Sequence, residues 1–247
     1  MEMSSIVVLG SPISQPTRAV LWLCEILGLK VKFQPVDSNK GEHVSPEFLE
    51  LNPNAKFPVL KDGKFTLFES HAIMRYLFSK YGRENTDYLY PKSDAEKRGK
   101  VDSWLDWKHT ALRPGAAGIV RRRVMSKIMK DYSKHSMRFD LKEIPESREA
   151  RILVDALKIM ENQLSQTEYL TGSEPTLADI ACACEIEQLL MLPKTEPPPF
   201  GCDLASSFPK VDAWQSKMRQ VTGFSNIHKS LHGACKGIEK MRAKSKI

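Results

Sequence analysis

The spacing of apolar residues divides the chain into a first part with strands and helices and a second part with helices alone. The apolar run at residues 6–9 predicts a buried strand. Residues 16–27 carry apolar positions around most of a helix and are followed by Gly28, a common residue just past a helix end. Residues 31–36 predict a second strand, and the polar stretch 37–46 predicts a loop.

A hairpin and a third helix complete the predicted first part. Residues 57–60 and 65–68 are apolar runs separated by a turn that contains Asp62-Gly63, a strong hairpin signal. Residues 70–81 carry apolar side chains at helical spacing. The order β-α-β, loop, β-β-α combines a parallel pair with an antiparallel hairpin, and it predicts an α/β thioredoxin-like domain over residues 1–82.

The second part shows helical spacing only. Residues 82–93 are polar and predict a linker. An all-α domain is therefore expected over residues 94–247. Its predicted helices cover residues 94–129, 146–164, 176–192 and 209–219.

Composition and charge exclude few functions. The chain has 247 residues, of which 41% are hydrophobic and 27% are charged, so its core needs neither a metal nor a disulfide. The surplus of 37 basic over 30 acidic residues gives +7, which is too small to require nucleic acid. Five cysteines without a CxxC motif indicate reduced thiols. We expect no signal peptide and no membrane span.

Three short segments of the first part carry groups suited to binding a small anionic peptide. Ser14 stands at the start of the first helix, where backbone N–H groups and the helix dipole favour an anion. Pro58 opens a strand after an aromatic residue, which suits a cis peptide bond. Glu69 and Ser70 stand at the start of the third helix, with Ser70 as the expected N-cap, and together they suit an amino and carboxyl pair.

With these segments the sequence resembles the cytosolic glutathione transferases, and within them the theta class, with its plant-type subgroup closest. The resemblance covers nearly the whole chain. It implies a thioredoxin-like domain that binds glutathione, an all-α domain, a homodimer, and a hydrophobic electrophile held between the two domains. It rests on SQPTRAV (14–20), NPNAKFPVL (52–60), LFESHAIMRYL (67–77), LDWKHTALRPGAAG (105–118) and TLAD (176–179).

The resemblance also implies a role for individual residues. Ser14 matches the catalytic serine that holds glutathione as its thiolate, and Arg113 matches an arginine that faces the second substrate. Pro114 departs from the family pattern directly after it. Glutathione is implied as a co-substrate, with no metal and no permanently bound cofactor. The implied glutathione contacts are His43, Lys56, Phe57, Pro58, Glu69 and Ser70.

The function expected from these residues is conjugation of glutathione to hydrophobic electrophiles, together with reduction of organic hydroperoxides. The alternative is a non-catalytic protein of the same fold that binds ligands or scaffolds a complex. A thiol-disulfide reductase ranks below both, because it needs a cysteine where this chain has Ser14. We expect neither nucleic acid nor a membrane as a partner.

Several conspicuous residues have structural explanations. Thr176 and Asp179 form a capping box at the start of a buried helix. The run 121–123 consists of three arginines, for which a solvated face is a better interpretation than nucleic-acid binding. Cys182 and Cys184 point to different sides of a helix and indicate buried small residues rather than a metal site. Trp104 and Trp107 are expected in the core or at a domain interface.

The last three residues bear on location. Ser245, Lys246 and Ile247 differ by one side chain from the peroxisomal address Ser-Lys-Leu. We therefore expect the protein in the cytoplasm, in peroxisomes, or in both.

Overall fold

The computed structural model describes residues 6–128 and 146–244. Its first part contains one mixed sheet of four strands, β1 (Ile6–Gly10), β2 (Val31–Pro35), β3 (Val59–Asp62) and β4 (Phe65–Phe68). Their order in the sheet is β2-β1-β3-β4. Strands β1 and β2 are parallel, whereas β1–β3 and β3–β4 are antiparallel. This confirms the predicted thioredoxin-like order.

One register row of the sheet determines where the candidate residues meet. Leu9 of β1 pairs with Val59 of β3, and Val59 pairs with Phe68 of β4. The carboxyl ends of β1 and β4 and the amino end of β3 therefore lie at the same edge of the sheet. The loops that continue from this row lead to the segments that carry the candidate chemistry.

Three helices pack with the sheet: α1 (Gln15–Ile26), α2 (Pro46–Leu51) and α3 (Ser70–Tyr81). The sequence pattern did not predict helix α2, which begins at the end of the stretch that was predicted as a loop. It begins because the Ser45 side chain accepts a hydrogen bond from the Phe48 N–H at 3.3 Å, and because proline suits the first helical turn.

The second part is helical, as predicted. Beyond residue 94, the part of the chain that the structure describes contains one isolated β-bridge, between Tyr169 and Gly172, and no longer strand pairing. The helix at residues 224–243 was not predicted. The helices are α4 (Ala95–Trp107), α5 (Arg113–Val120), α6 (Ser126–Ile128), α7 (Glu146–Gln166), α8 (Leu177–Gln188), α9 (Pro209–Met218) and α10 (Phe224–Ala243).

Two π-helical turns, Lys108–Leu112 and Arg121–Met125, join α4, α5 and α6. The first ends two residues before Pro114, which cannot donate a backbone hydrogen bond. Here the Arg113 N–H bonds to the Lys108 carbonyl oxygen, five residues back. The wider turn accommodates the proline without ending the helix, and such turns are frequent at functional sites.

Helix α1 connects the two parts of the molecule. Arg18 is fully buried and donates hydrogen bonds to the Cys184 carbonyl oxygen at 3.1 Å and to the Gln188 side chain. Trp22 donates from its indole N–H to the Thr222 carbonyl oxygen at 2.8 Å. The helix that begins just after Ser14 is therefore held by helical elements of the second part.

The arginine run corrects one interpretation. Residues 121–123 are half-buried rather than a solvated face. The Nε of Arg122 lies 2.7 Å from Glu149, and the Nε of Arg123 lies 2.7 Å from Glu146, so both side chains tie the second π-helical turn to α7.

Other structural interpretations are confirmed. Cys182 and Cys184 are fully buried, and all five cysteines are free thiols. Trp104 and Trp107 contact each other with ring centroids 4.8 Å apart and pack against the core. No helix within residues 6–128 and 146–244 is long and apolar enough to cross a membrane. The expectation for residues 245–247 falls outside the described residues and stays a prediction.

Candidate functional site

Ser14 is the N-cap residue of α1, but only its backbone makes the cap. Its carbonyl oxygen accepts the Arg18 N–H at 2.9 Å, and its own N–H bonds to the Ser11 carbonyl oxygen at 3.0 Å. The Ser14 side chain is half-buried and accepts no capping hydrogen bond. The hydroxyl is therefore available to a ligand at the mouth of the helix.

A cis peptide bond precedes strand β3 at Phe57-Pro58, as the sequence predicts. The loop before it is held by Asn52, which sequence analysis did not single out. This side chain is buried; its amide donates to the Lys56 carbonyl oxygen at 2.6 Å, and its oxygen accepts the Asn54 N–H at 3.0 Å. Asn52 thus fixes the backbone that leads to the cis proline.

Glu69 and Ser70 follow the Phe68 end of β4. The expectation that Ser70 is the N-cap of α3 was wrong, because Ser70 is the first helical residue and Glu69 is the N-cap. Glu69 has a positive φ of 68° and makes no side-chain cap. A left-handed backbone is uncommon for a residue other than glycine, and such outliers are concentrated at ligand sites.

His43 and Lys56 lie at the same end of the sheet. His43 follows β2 in a short 3₁₀ turn, is buried, and places its ring 6.2 Å from the ring of Phe57. Lys56 is exposed one residue before Phe57. The structure therefore brings His43 to the cis-proline loop and leaves the Lys56 ammonium group accessible.

The loops of the sheet form one wall of the site, and the π-helical turn Lys108–Leu112 forms a second wall. The rings of His71 on α3 and His109 in this turn have centroids 5.9 Å apart. The charges of Glu69 and Lys56 also act on the pKa of His109. The helical part of the molecule therefore faces the loop edge of the sheet across these two histidines.

Both histidines are neutral at physiological pH. Burial, together with the charges of Lys108, Arg75 and Arg113, lowers the pKa of His71 to about 2. Burial and the charges of Lys108 and Arg113 also lower the pKa of His109. Burial is the larger cause of both shifts, and the charges of Lys108 and Arg113 act in the same direction.

Arg113 does not extend freely into the cleft. Its guanidinium forms an ion pair with Glu185 of α8, and the Lys108 Nζ lies 3.2 Å from the same Glu185 oxygen. The side chains of Lys108 and Glu185 are almost completely buried, whereas that of Arg113 keeps 26% of its surface exposed. Burial alone raises the pKa of Glu185, but Arg113 and Lys108 outweigh it and lower the pKa.

The site therefore has two sides. Loops at one sheet edge carry Ser14, His43, Glu69 and their neighbours, and the helical wall carries Arg113. The sequence pattern did not mark Asn52, Lys108 or Glu185 as site residues. Lys108 lies within a segment that carries the family resemblance, whereas nothing in the local sequence marks Glu185, because its partner Arg113 is 72 residues away.

Comparison with known proteins agrees with this geometry. Residues 7–79 match the family model "Glutathione S-transferase, N-terminal domain" and residues 126–220 match "Glutathione S-transferase, C-terminal domain". Glutathione S-transferase T1 of Arabidopsis thaliana is 33% identical over 97% of this chain and 94% of its own length.

The chain belongs to the glutathione S-transferase family.

Further relatives agree with the resemblance to the theta class. Human glutathione S-transferase theta-1 is 32% identical over 85% of this chain and 81% of its own length. Glutathione S-transferase T2 of Arabidopsis thaliana is 34% identical over 95% of this chain, which spans only 38% of that protein. Among solved structures, glutathione transferase E6 from Drosophila melanogaster matches 96% of this chain and 97% of its own with a TM-score of 0.77 and 25% identity.

Proposed function

We propose that this glutathione S-transferase binds glutathione at the loop edge of the sheet and holds its sulfur as a thiolate at Ser14. The observation that carries the proposal is the half-buried Ser14 hydroxyl, which makes no cap and stands at the amino end of a helix. A helix amino terminus and a hydroxyl donor both favour an anion.

The remaining groups at this edge suit the rest of the peptide. Lys56 and His43 would meet the glycyl carboxylate, and Glu69 with Ser70 would bind the γ-glutamyl amino and carboxyl groups. The backbone of Phe57, fixed before cis Pro58, would pair with the cysteinyl unit in the manner of an added strand. In this assignment the glutathione-binding domain is 1–82, and residues 94–247 form the domain that completes the electrophile site.

The energetic demand on Ser14 is modest. A free thiol has a pKa of about 8.5 and is only a few per cent ionised at pH 7. Lowering that pKa by about two units requires roughly 2.7 kcal/mol of preferential thiolate stabilisation. One hydroxyl donor and a helix amino terminus can supply this, so no separate base is required.

The thiolate then acts as a nucleophile. Attack on an electrophilic carbon forms a C–S bond and releases the leaving group with its electron pair. Attack on the terminal oxygen of a hydroperoxide forms an S–O bond, breaks the O–O bond and releases the alcohol after protonation. The thiolate of a second glutathione then attacks the sulfur of the resulting glutathione sulfenic acid, whose hydroxyl leaves as water, so the two thiols become a disulfide. Arg113, held by Glu185, would face this second substrate from a fixed position.

Assembly and location belong to the same proposal. We expect a homodimer with a two-fold axis, the usual arrangement of such oligomers. Light scattering coupled to size exclusion at micromolar concentration checks it against a single 28.0 kDa species. We expect the protein in the cytoplasm, in peroxisomes, or in both.

The decisive experiment measures turnover with glutathione and one aryl halide, one aralkyl halide and cumene hydroperoxide. Calorimetric titration with glutathione accompanies it. Binding with turnover of at least one substrate supports the enzyme. Binding without any turnover favours the alternative, a non-catalytic ligand-binding or scaffold protein.

A further inference from the structure

Three charged side chains meet inside the helical wall of the cleft, and they do not neutralise one another. Lys108 and Arg113 both bond to Oε1 of Glu185, while its Oε2 is buried and without a hydrogen-bond partner among the described residues. Two cations and one carboxylate leave this Lys108–Glu185–Arg113 triad with a net charge of +1. Burying an uncompensated charge is costly, so this surplus must be met by water or by an anionic group of a ligand wherever the triad is exposed.

The surplus charge reaches solvent at one member of the triad. The side chains of Lys108 and Glu185 are 2% and 0% exposed, whereas that of Arg113 is 26% exposed. Glu185 spans the gap between α8 and the start of α5, and it fixes the guanidinium. Arg113 is therefore an anchored donor with further N–H groups available, which is the arrangement that binds carboxylates in a defined geometry.

The neighbouring groups do not cancel this charge. His71 and His109 are neutral, and the Nε2 of the buried His71 has no hydrogen-bond partner among the described residues. Arg75 is already paired with Asp102 at 2.6 Å. Of the nearby carboxylates, Glu69 is exposed and is assigned to the amino group of glutathione in the proposed function.

We infer that the Lys108–Glu185–Arg113 triad makes the second-substrate cleft selective for electrophiles and hydroperoxides that carry a carboxylate. Glu185 is the positioning residue that holds Arg113. The inference rests on the proposed function, since it names the substrate class of that same site. Glutathione does not use Arg113 in that assignment, because its own carboxylates meet other residues.

Two probes that differ in the charge of one group test whether the cleft prefers a carboxylate. The pair is 4-(chloromethyl)benzoate and its methyl ester, which share the reacting carbon and the chloride leaving group. The wild-type protein should prefer the acid in kcat/KM by about tenfold, as expected for one charge-assisted hydrogen-bonded contact. Raising the ionic strength from about 20 mM to about 0.5 M should narrow that ratio.

Variants assign the preference to the triad. Arg113→Gln leaves Glu185 paired with Lys108 and makes the cluster neutral, so the acid-to-ester ratio should fall to about one. Arg113→Lys retains the charge and should keep part of the preference. The matched control is Arg75→Gln, which removes a nearby cation outside the triad and should leave the ratio unchanged.

Glu185→Gln separates positioning from charge. Loss of the carboxylate raises the local charge, so charge alone predicts a larger acid preference. Loss of the anchor instead raises KM for the acid and lowers the ratio, which is the result we expect. A larger ratio would remove the positioning role.

Failure of this inference and failure of the proposed function give different experimental results. Turnover of the ester without any preference for the acid, or a preference that survives in Arg113→Gln, overturns the inference and leaves the proposed function standing. If the wild type turns over neither probe nor any member of the substrate panel, the proposed function fails and the inference with it.

Discussion

The backbone N–H of Arg18 bonds to the carbonyl oxygen of Ser14 at 2.9 Å, while the Ser14 hydroxyl takes no part in the cap. We therefore expect the Ser14 hydroxyl to matter for catalysis but hardly for the stability of the fold. Removing a capping side chain costs about 0.5–2 kcal/mol. Since Ser14 caps with its backbone, Ser14→Ala should change the free energy of unfolding by less than about 0.5 kcal/mol.

Turnover should respond far more strongly in the same variant. If the pKa of bound glutathione returns toward about 8.5, the thiolate fraction near pH 6.5 falls roughly 50-fold, and kcat falls with it. Ultraviolet titration of the thiolate in the complex, together with steady-state kinetics, measures both effects. Ser11→Ala is the control, because Ser11 contributes its backbone carbonyl to the turn. A low thiol pKa retained in Ser14→Ala but lost in Ser11→Ala would show that Ser11 is the relevant serine.

Asn52→Ala should weaken glutathione binding through the loop before the cis proline. The variant frees the Lys56 carbonyl oxygen and the Asn54 N–H from their buried partner. We expect KM for glutathione to rise about tenfold, with a smaller change in kcat, because the backbone of Phe57 loses its fixed position. Asn54→Ala is the matched control, since Asn54 is bound through its backbone. Equal effects of the two substitutions on KM would contradict the role of Asn52.

Asp179→Ala should destabilise the fold by more than a simple cap. The fully buried carboxylate forms the predicted capping box with Thr176 and also accepts the Leu170 N–H and the Trp214 indole N–H, both at 2.9 Å. Four donors lose their acceptor, namely the N–H groups of Leu170 and Thr176, the Thr176 hydroxyl and the Trp214 indole N–H, so we expect a loss of at least about 3 kcal/mol. Urea melts compare it with Asp155→Ala, whose exposed side chain should matter by less than about 0.5 kcal/mol. A loss no larger than that of the control would refute the buried network.

The local sequence pattern predicted those elements in which local propensity and tertiary packing favour the same structure. The helical spacing of residues 70–81 and the hairpin around Gly63 appear as predicted because apolar periodicity and turn chemistry indicate the same structure there. Helix α10 was missed because Gly233 and Gly237 disfavour a helix by about 1 kcal/mol each. Packing of Phe224 against Trp22, 5.2 Å between ring centroids, helps to compensate for this cost.

The same distinction applies to the candidate site: features set by adjacent residues were predicted, whereas features set by tertiary contacts were not. The cis bond at Pro58 and the helix start beyond Ser14 follow from adjacent residues and from the family resemblance. The N-cap at Glu69 was misassigned, because serine is the better cap on propensity and the positive φ of Glu69 arises from the tertiary structure. The ion pair of Arg113 with Glu185 was beyond sequence reasoning, since only the packing of α8 against the π-helical turn brings the two together.

His228 should make the protein sensitive to acid. It is fully buried between Trp22 and Phe224, and its ring stacks on Phe224 at 3.9 Å. Burial, reinforced by the charge of Arg18 and only partly opposed by the hydrogen bond to the Phe224 carbonyl oxygen and by Glu187, lowers the pKa of His228 to about 3. The unfolded chain protonates this histidine near pH 6.5, whereas the folded protein does not.

The sign of the effect follows from proton uptake. Between about pH 6.5 and pH 3 the unfolded state binds one more proton at His228, so stability falls as the pH falls through this window. This residue alone should remove about 2 kcal/mol of stability between pH 7 and pH 5. The loss is this large because the pKa of His228 in the folded protein lies well below 5.

Urea melts at pH 7 and pH 5 on the wild type and on His228→Phe measure this contribution. The phenylalanine keeps a ring between Trp22 and Phe224 but cannot take up a proton, so the loss of stability on acidification should shrink by about 2 kcal/mol. His232→Phe is the control: this histidine is half-exposed and bonds to Glu187 at 2.7 Å, so its replacement should not reduce the acid loss in the same way. An acid loss that is the same in wild type and His228→Phe would show that His228 takes up a proton in the folded protein, against the direction its burial dictates.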